Sequence, residues 1–131
     1  MKSPLKKTVT DILRMKAVVV ARVLNGGLCT SSRRFATGKS VAQAWRECPD
    51  MNWLDTMARA CGVDEKKIDK ANTATYKIQA KKDEEYEDLE KRRAKAWAKI
   101  VTVEMAAKAL LSTHGWTAES ARETLKIAEP I

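Results

Sequence analysis

Asp50–Ile68 reads DMNWLDTMARACGVDEKKI, and these residues decide the fold. Asp50 sits three residues ahead of an apolar series, Trp53, Leu54, Met57, Ala58 and Cys61, that recurs with helical spacing. An aspartate there accepts from the first free backbone N–H groups of a helix, and Gly62 supplies the left-handed residue that ends it. Asp64 repeats the N-cap, with Val63 before it and Ile68 after it at the two positions of a hydrophobic staple. Two helices joined by a tight corner follow.

The neighbouring stretches extend the same pattern. Ser40 with Gln43 makes a capping box for a short helix through Ala42, Ala44, Trp45 and Cys48, which Pro49 closes. Upstream, Val9, Ile12, Leu13, Val20, Val23 and Leu24 predict a helix from about Thr10 to Leu24, stopped by Gly26 and Gly27. Its β-branched run Val18-Val19-Val20 leaves a strand open as an alternative. Residues 25–39 read as a basic loop. Downstream there is neither Gly nor Pro between Glu65 and Thr113. Tyr86, Leu89, Arg93, Ala96, Ile100, Val103, Ala107 and Leu110 keep a 3-4 spacing that residues further back do not. One uninterrupted helix is possible, but the missing caps favour a break around Ala80 to Glu84. Gly115 stops the long element and Thr117 caps a last helix over about 117–129. The expected fold is all-α: a single-domain bundle of about five helices spanning residues 1–131. It comprises a basic third over 1–46, a helical corner over 50–80, a long helix over 83–113 and the C-terminal helix.

Composition agrees. The 131 residues are 44% hydrophobic and 32% charged, with 5 Gly and 3 Pro, which is globular and permissive of helix. No apolar run nears the roughly 18 residues of a membrane span. Three cysteines at unpaired spacings add no disulfide framework, so a cytoplasmic location without membrane contact is expected.

Charge carries the functional signal. Lys and Arg number 25 against 17 Asp and Glu, giving +8. Residues 1–46 hold ten cations and one acid, Asp11, so that third carries +9 and the rest −1. Such asymmetry favours an anionic partner, although net charge also serves solubility. Arg33, Arg34 and Lys39, beside the free N–H groups at Ser40, form a candidate phosphate site. Thr37-Gly38-Lys39-Ser40 is not a P-loop, because Arg33 stands where the motif needs its first Gly.

Within the corner, Ala58, Gly62, Val63 and Ile68 fall at helix-turn-helix spacing. The second helix offers Lys66, Lys67 and Lys70, with Asn72, Thr73 and Lys77, on its polar side. Asp64, Glu65 and Asp69 oppose a polyanion there, and any tight αα-corner wants the same four apolar and small residues.

Ala44-Trp45-Arg46-Glu47-Cys48-Pro49 followed by Trp53-Leu54 resembles a motif of small, mostly uncharacterised helical proteins of phages and actinobacteria. The resemblance covers Ser40 to about Ala71 and implies a provenance without an activity.

No catalytic constellation is visible. One His lacks a nucleophile neighbour, and Cys29, Cys48, Cys61 and His114 lack the paired spacing of a zinc site. No enzyme activity, metal or cofactor is expected. Two functions remain. The first is docking on nucleic acid or a nucleoprotein complex through the basic third. The second is an adaptor or inhibitor that binds a host protein along the long helix. Tyr86, Arg93 and Trp97 are its candidate contacts, Trp97 because it stands beside the 3-4 frame rather than in it. Self-association through that frame is compatible with both.

Overall fold

In a computed structural model, residues 4–25, 35–117, 119, 120, 123 and 126 are described. Seven helices are defined among them: α1 (Pro4–Leu13), α2 (Ala17–Asn25), α3 (Val41–Glu47), α4 (Met51–Cys61), α5 (Glu65–Tyr76), α6 (Tyr86–Ile100) and α7 (Val103–Thr113). No strand occurs among the described residues, and all seven helices contribute to one continuous core. The fold is all-α.

Local capping chemistry sets the boundaries as expected. Ser40 Oγ accepts from Gln43 N at 3.1 Å, Asp50 Oδ1 from Asn52 N at 2.8 Å, and Asp64 Oδ1 from Lys66 N at 3.2 Å. Gly62 closes α4 at φ +101°, its N–H shared between the Ala58 and Arg59 carbonyls. Thr117 and Ser120 bond reciprocally, Ser120 N to Thr117 Oγ1 at 3.1 Å and Thr117 N to Ser120 Oγ at 2.9 Å. Helix follows at Glu119, Ser120, Glu123 and Lys126.

Three interruptions shape the rest. The helix expected from Thr10 to Leu24 is two helices. Arg14 N and Met15 N close a tightened last turn, and Met15 O then accepts from Val41 N at 2.8 Å while Ala17 N donates to Lys39 O at 3.0 Å. This isolated antiparallel bridge takes the backbone groups that would have continued α1. The Val18–Val20 run stays helical because Val19 and Val20 are buried in α2. The long element breaks at residues 77–85, with Asp83 at φ +61°. A second break, at Val101 and Thr102, falls inside the stretch for which the sequence predicts one long helix over 83–113. Val101 is fully buried and Thr102 Oγ1 caps α7 by accepting from Met105 N at 3.3 Å.

Helix α4 is central and packs on α2, α5, α6 and α7. Leu54, Met57 and Ala58 are shielded from solvent, and truncating a leucine so placed typically costs about 2–5 kcal/mol. Helices α5 and α6 form an antiparallel pair, while α1 packs mainly on α7. Aromatic rings fill the junction of α3, α4 and α6. The Trp45 and Trp53 centroids lie 6.2 Å apart, Trp45 and Trp97 6.3 Å, and Phe35 meets Trp53 edge-on at 5.4 Å.

The Trp-Cys-Pro motif is a packing unit. Trp45 Nε1 donates to Val101 O at 3.1 Å, and Cys48 Sγ donates to Asp50 O at 3.0 Å across the Pro49 turn. Trp53 and Leu54 are buried.

Candidate nucleic-acid interface

Helix α5 turns Ile68, Ala71 and Thr75 into the core. The remaining positions then divide by helical geometry into two flanks. Lys66, Lys70, Thr73 and Lys77 lie at i, i+4, i+7 and i+11, a single exposed stripe, with Lys67 and Ala74 beside it. No ion pair among the described residues engages Lys66, Lys67, Lys70 or Lys77. The loop after α5 adds exposed Lys81 and Lys82.

The acids of the corner gather elsewhere. Arg59 Nε donates to Asp55 Oδ1 at 2.7 Å, its Nη1 reaches Glu65 Oε1 at 3.0 Å, and its Nη2 lies 3.8 Å from Asp69 Oδ1. The hydrogen bond that Arg59 donates to Asp55 leads in raising the guanidinium pKa above its ordinary value. Asp64 spends one oxygen capping its own helix. Of the three carboxylates that oppose a polyanion, Glu65 and Asp69 are thus drawn to Arg59, while Asp64 stays exposed at the start of α5 and the lysines stand clear. Asn72, expected on the polar side, turns inward instead and bonds Asp55 and Trp97.

The phosphate site expected at Ser40 fares differently. Arg33 and Arg34 lie outside the described residues. Lys39 Nζ stands 3.5 Å from Glu47 Oε2 and 4.8 Å from the Phe35 ring centroid, so its charge is engaged within the chain. The Ser40 hydroxyl is occupied as a cap. Lys16 meets this point through the backbone bridge to Ser40, whereas Arg46, near the other end of α3, joins Lys95 and Lys99 of α6. That last grouping joins positions distant in sequence, and no local pattern signals it.

The expected contacts of the long helix also separate. Tyr86 is 68% exposed, and Tyr76, across the loop, is 62% exposed. Arg93 donates from Nε and Nη2 to Ile78 O at 3.1 and 2.7 Å and stacks 5.8 Å from the Tyr76 ring. Trp97 is not a surface anchor. It is fully buried, with Nε1 donating to Asn72 Oδ1 at 2.7 Å. The reason is a slip of one position. The inward face of α6 is Leu89, Ala94 and Trp97, continued by Val101, while Ala96 and Ile100 of the 3-4 frame are only partly buried. Beyond Arg93 the buried positions stand one residue later than that frame, and Arg93 itself turns its guanidinium to Ile78 O instead of into the core.

Cys48 and Cys61 are buried thiols, each pushed up to about 12 chiefly by desolvation. Cys29 lies outside the described residues. Among the described residues no three His, Cys, Asp or Glu side chains converge as a metal site requires, and no helix is long and apolar enough to cross a membrane. His114 Nε2 lies 2.8 Å from Ala60 O, a contact that puts the ring proton on that nitrogen, since a carbonyl only accepts.

Compared with known proteins, the chain matches no family model, no curated protein and no solved structure.

Proposed function

We propose that this protein is a non-enzymatic accessory protein that docks on nucleic acid through the lysine face of α5, with the basic stretch 1–46 adding electrostatic attraction. The observation that carries this reading is the segregation on α5. Lys66, Lys67, Lys70 and Lys77 are exposed and unpaired among the described residues, while Arg59 holds Glu65 and Asp69 on the other flank. Ammonium groups on flexible stems suit phosphate oxygens, and Thr73 on the same stripe suits a phosphate or a base edge. The +9 carried by residues 1–46 strengthens approach to any polyanion at low salt.

A filter-binding titration of duplex DNA and single-stranded RNA against salt tests this. Release of counterions requires log K to fall steeply with log salt, by about 0.9 for each phosphate neutralised on duplex DNA. Replacing Lys66, Lys70 and Lys77 by Ala is expected to lower that slope by about 1 per contact removed. A flat salt dependence, or a slope unchanged in the triple variant, rejects the lysine face.

One observation favours a second reading, an adaptor or inhibitor of a host protein. Tyr76 and Tyr86 are the large hydrophobic side chains left exposed among the described residues, and Arg93 lies between them. Tyr and Arg are enriched where partners anchor. Capture from a lysate with and without nuclease separates the two: partners that survive digestion favour the adaptor.

A further inference from the structure

A groove of about 430 Å3 opens where α3, α6 and the start of α7 meet. Trp45, Ala98 and Val103 line it with hydrocarbon. The polar atom of Trp45 is already committed to Val101 O, so that ring offers an occupant only its carbon edge. The rim is cationic. Arg46 stands on the α3 wall, and Lys95 and Lys99 on the α6 wall. All three are exposed, and none makes an ion pair or hydrogen bond among the described residues. Glu104 is the one acid that lines it. The first turn of α7 adds the positive end of its dipole to the same potential.

From this charge and shape we infer that the groove docks a short acidic amphipathic helix of a partner protein. The occupant must put an apolar residue onto the Trp45–Ala98–Val103 floor and set negative charge against both walls. Lys95 and Lys99 are one turn apart on α6, about 6 Å along its axis. Two carboxylates at i and i+4 on a partner helix repeat that spacing, and an apolar side chain between them reaches the floor. A mononucleotide concentrates its charge at one end and leaves one wall unmatched. The groove is open, so a longer chain can run through it. No residue of the α5 lysine face lines it, and the inference therefore stands apart from nucleic-acid docking.

The test is fluorescence anisotropy with the full chain and a fluorescein-labelled synthetic peptide of about 16 residues, in about 0.15 M salt. The peptide carries Leu on one face flanked by Glu at i and i+4, and its control has the same composition scrambled. Saturable binding is expected, with the scrambled peptide about tenfold weaker or worse. Ala98→Trp, which fills the groove, and Lys95→Glu with Lys99→Glu, which reverse the wall, are each expected to weaken binding at least about tenfold. Lys66→Ala with Lys70→Ala leaves it unchanged. Should Ala98→Trp not fold, exposed Lys99→Gln carries the test with an expected severalfold loss. Equal affinity for both peptides overturns the inference, as does undiminished binding by the groove variants. Displacement by single-stranded DNA as effective as by unlabelled peptide overturns it too, because the groove is then part of a polyanion surface.

Discussion

Trp97 and Asn72 are joined by a hydrogen bond of 2.7 Å between Nε1 of the indole on α6 and Oδ1 of the amide on α5. Asn72 Nδ2 in turn donates to Asp55 Oδ2 of α4 at 2.9 Å. An indole only donates and a carboxylate only accepts, so the amide has a single orientation and three helices are keyed together through it. Asn72→Ala leaves a buried indole N–H with no partner and is expected to cost about 2 kcal/mol. Urea unfolding measures this. Combined with Trp97→Phe, the two losses are expected to be less than additive, since the second change removes the orphaned donor.

At Gly62 two obstacles coincide. A Cβ there would collide with Thr113 Oγ1 and lie 2.6 Å from Thr113 Cβ, and the backbone stands at φ +101°. Gly62→Ala is expected to destabilise the fold by about 2 kcal/mol or more. Adding Thr113→Gly relieves the collision but not the backbone, so only part of the stability returns. Full recovery in the double variant shows that the left-handed conformation carries no cost.

Glu84 is held by both nitrogens of a bidentate Arg92, at 2.7 Å each, and by Lys81 N at 3.0 Å. The hydrogen bond from Arg92 is the main cause that lowers its pKa to about 2. In the unfolded chain a glutamate titrates near 4.3, so folding favours the ionised form. This contribution is fully present above the unfolded value and disappears as pH falls through about 2. The stability gap between wild type and Glu84→Gln is therefore expected to be constant from pH 5 to 7 and to close between roughly pH 4.5 and 2. A gap that persists unchanged at pH 2 contradicts the clamp.

Burial raises the thiols of Cys48 and Cys61 to about 12. Only thiolates attack disulfide reagents, so both residues are inert in the native state. In a Cys29→Ser background a chromogenic disulfide at pH 8 is expected to titrate no thiol until denaturant is added. Prompt release of a full equivalent identifies one of the two as accessible.

What the sequence revealed was what neighbours in sequence determine. Ser40, Asp50, Asp64 and Thr117 cap helices, and Gly62 ends one, through groups within a few residues of each other. The turn between α5 and α6 was legible from the loss of apolar spacing, and the Lys66–Lys70 stripe from the placement of Ile68. The breaks at Met15 and Val101 were not legible. One is made by pairing with Lys39 and Val41, and the other coincides with the carbonyl that Trp45 claims. The Arg46–Lys95–Lys99 grouping escaped for the same reason: tertiary packing alone assembles it.

The pairing of α1 with α7 has a consequence during synthesis. The helix that begins at Pro4 leaves the ribosome ahead of α7, so the surface that shelters Val9 and Ile12 is completed only after residues 103–113 have followed. Through that interval the nascent chain carries an amphipathic segment without its main partner. A stalled or shortened translation product that lacks α7 therefore leaves Val9 and Ile12 without their main cover, an apolar stripe of the kind chaperones and proteases recognise.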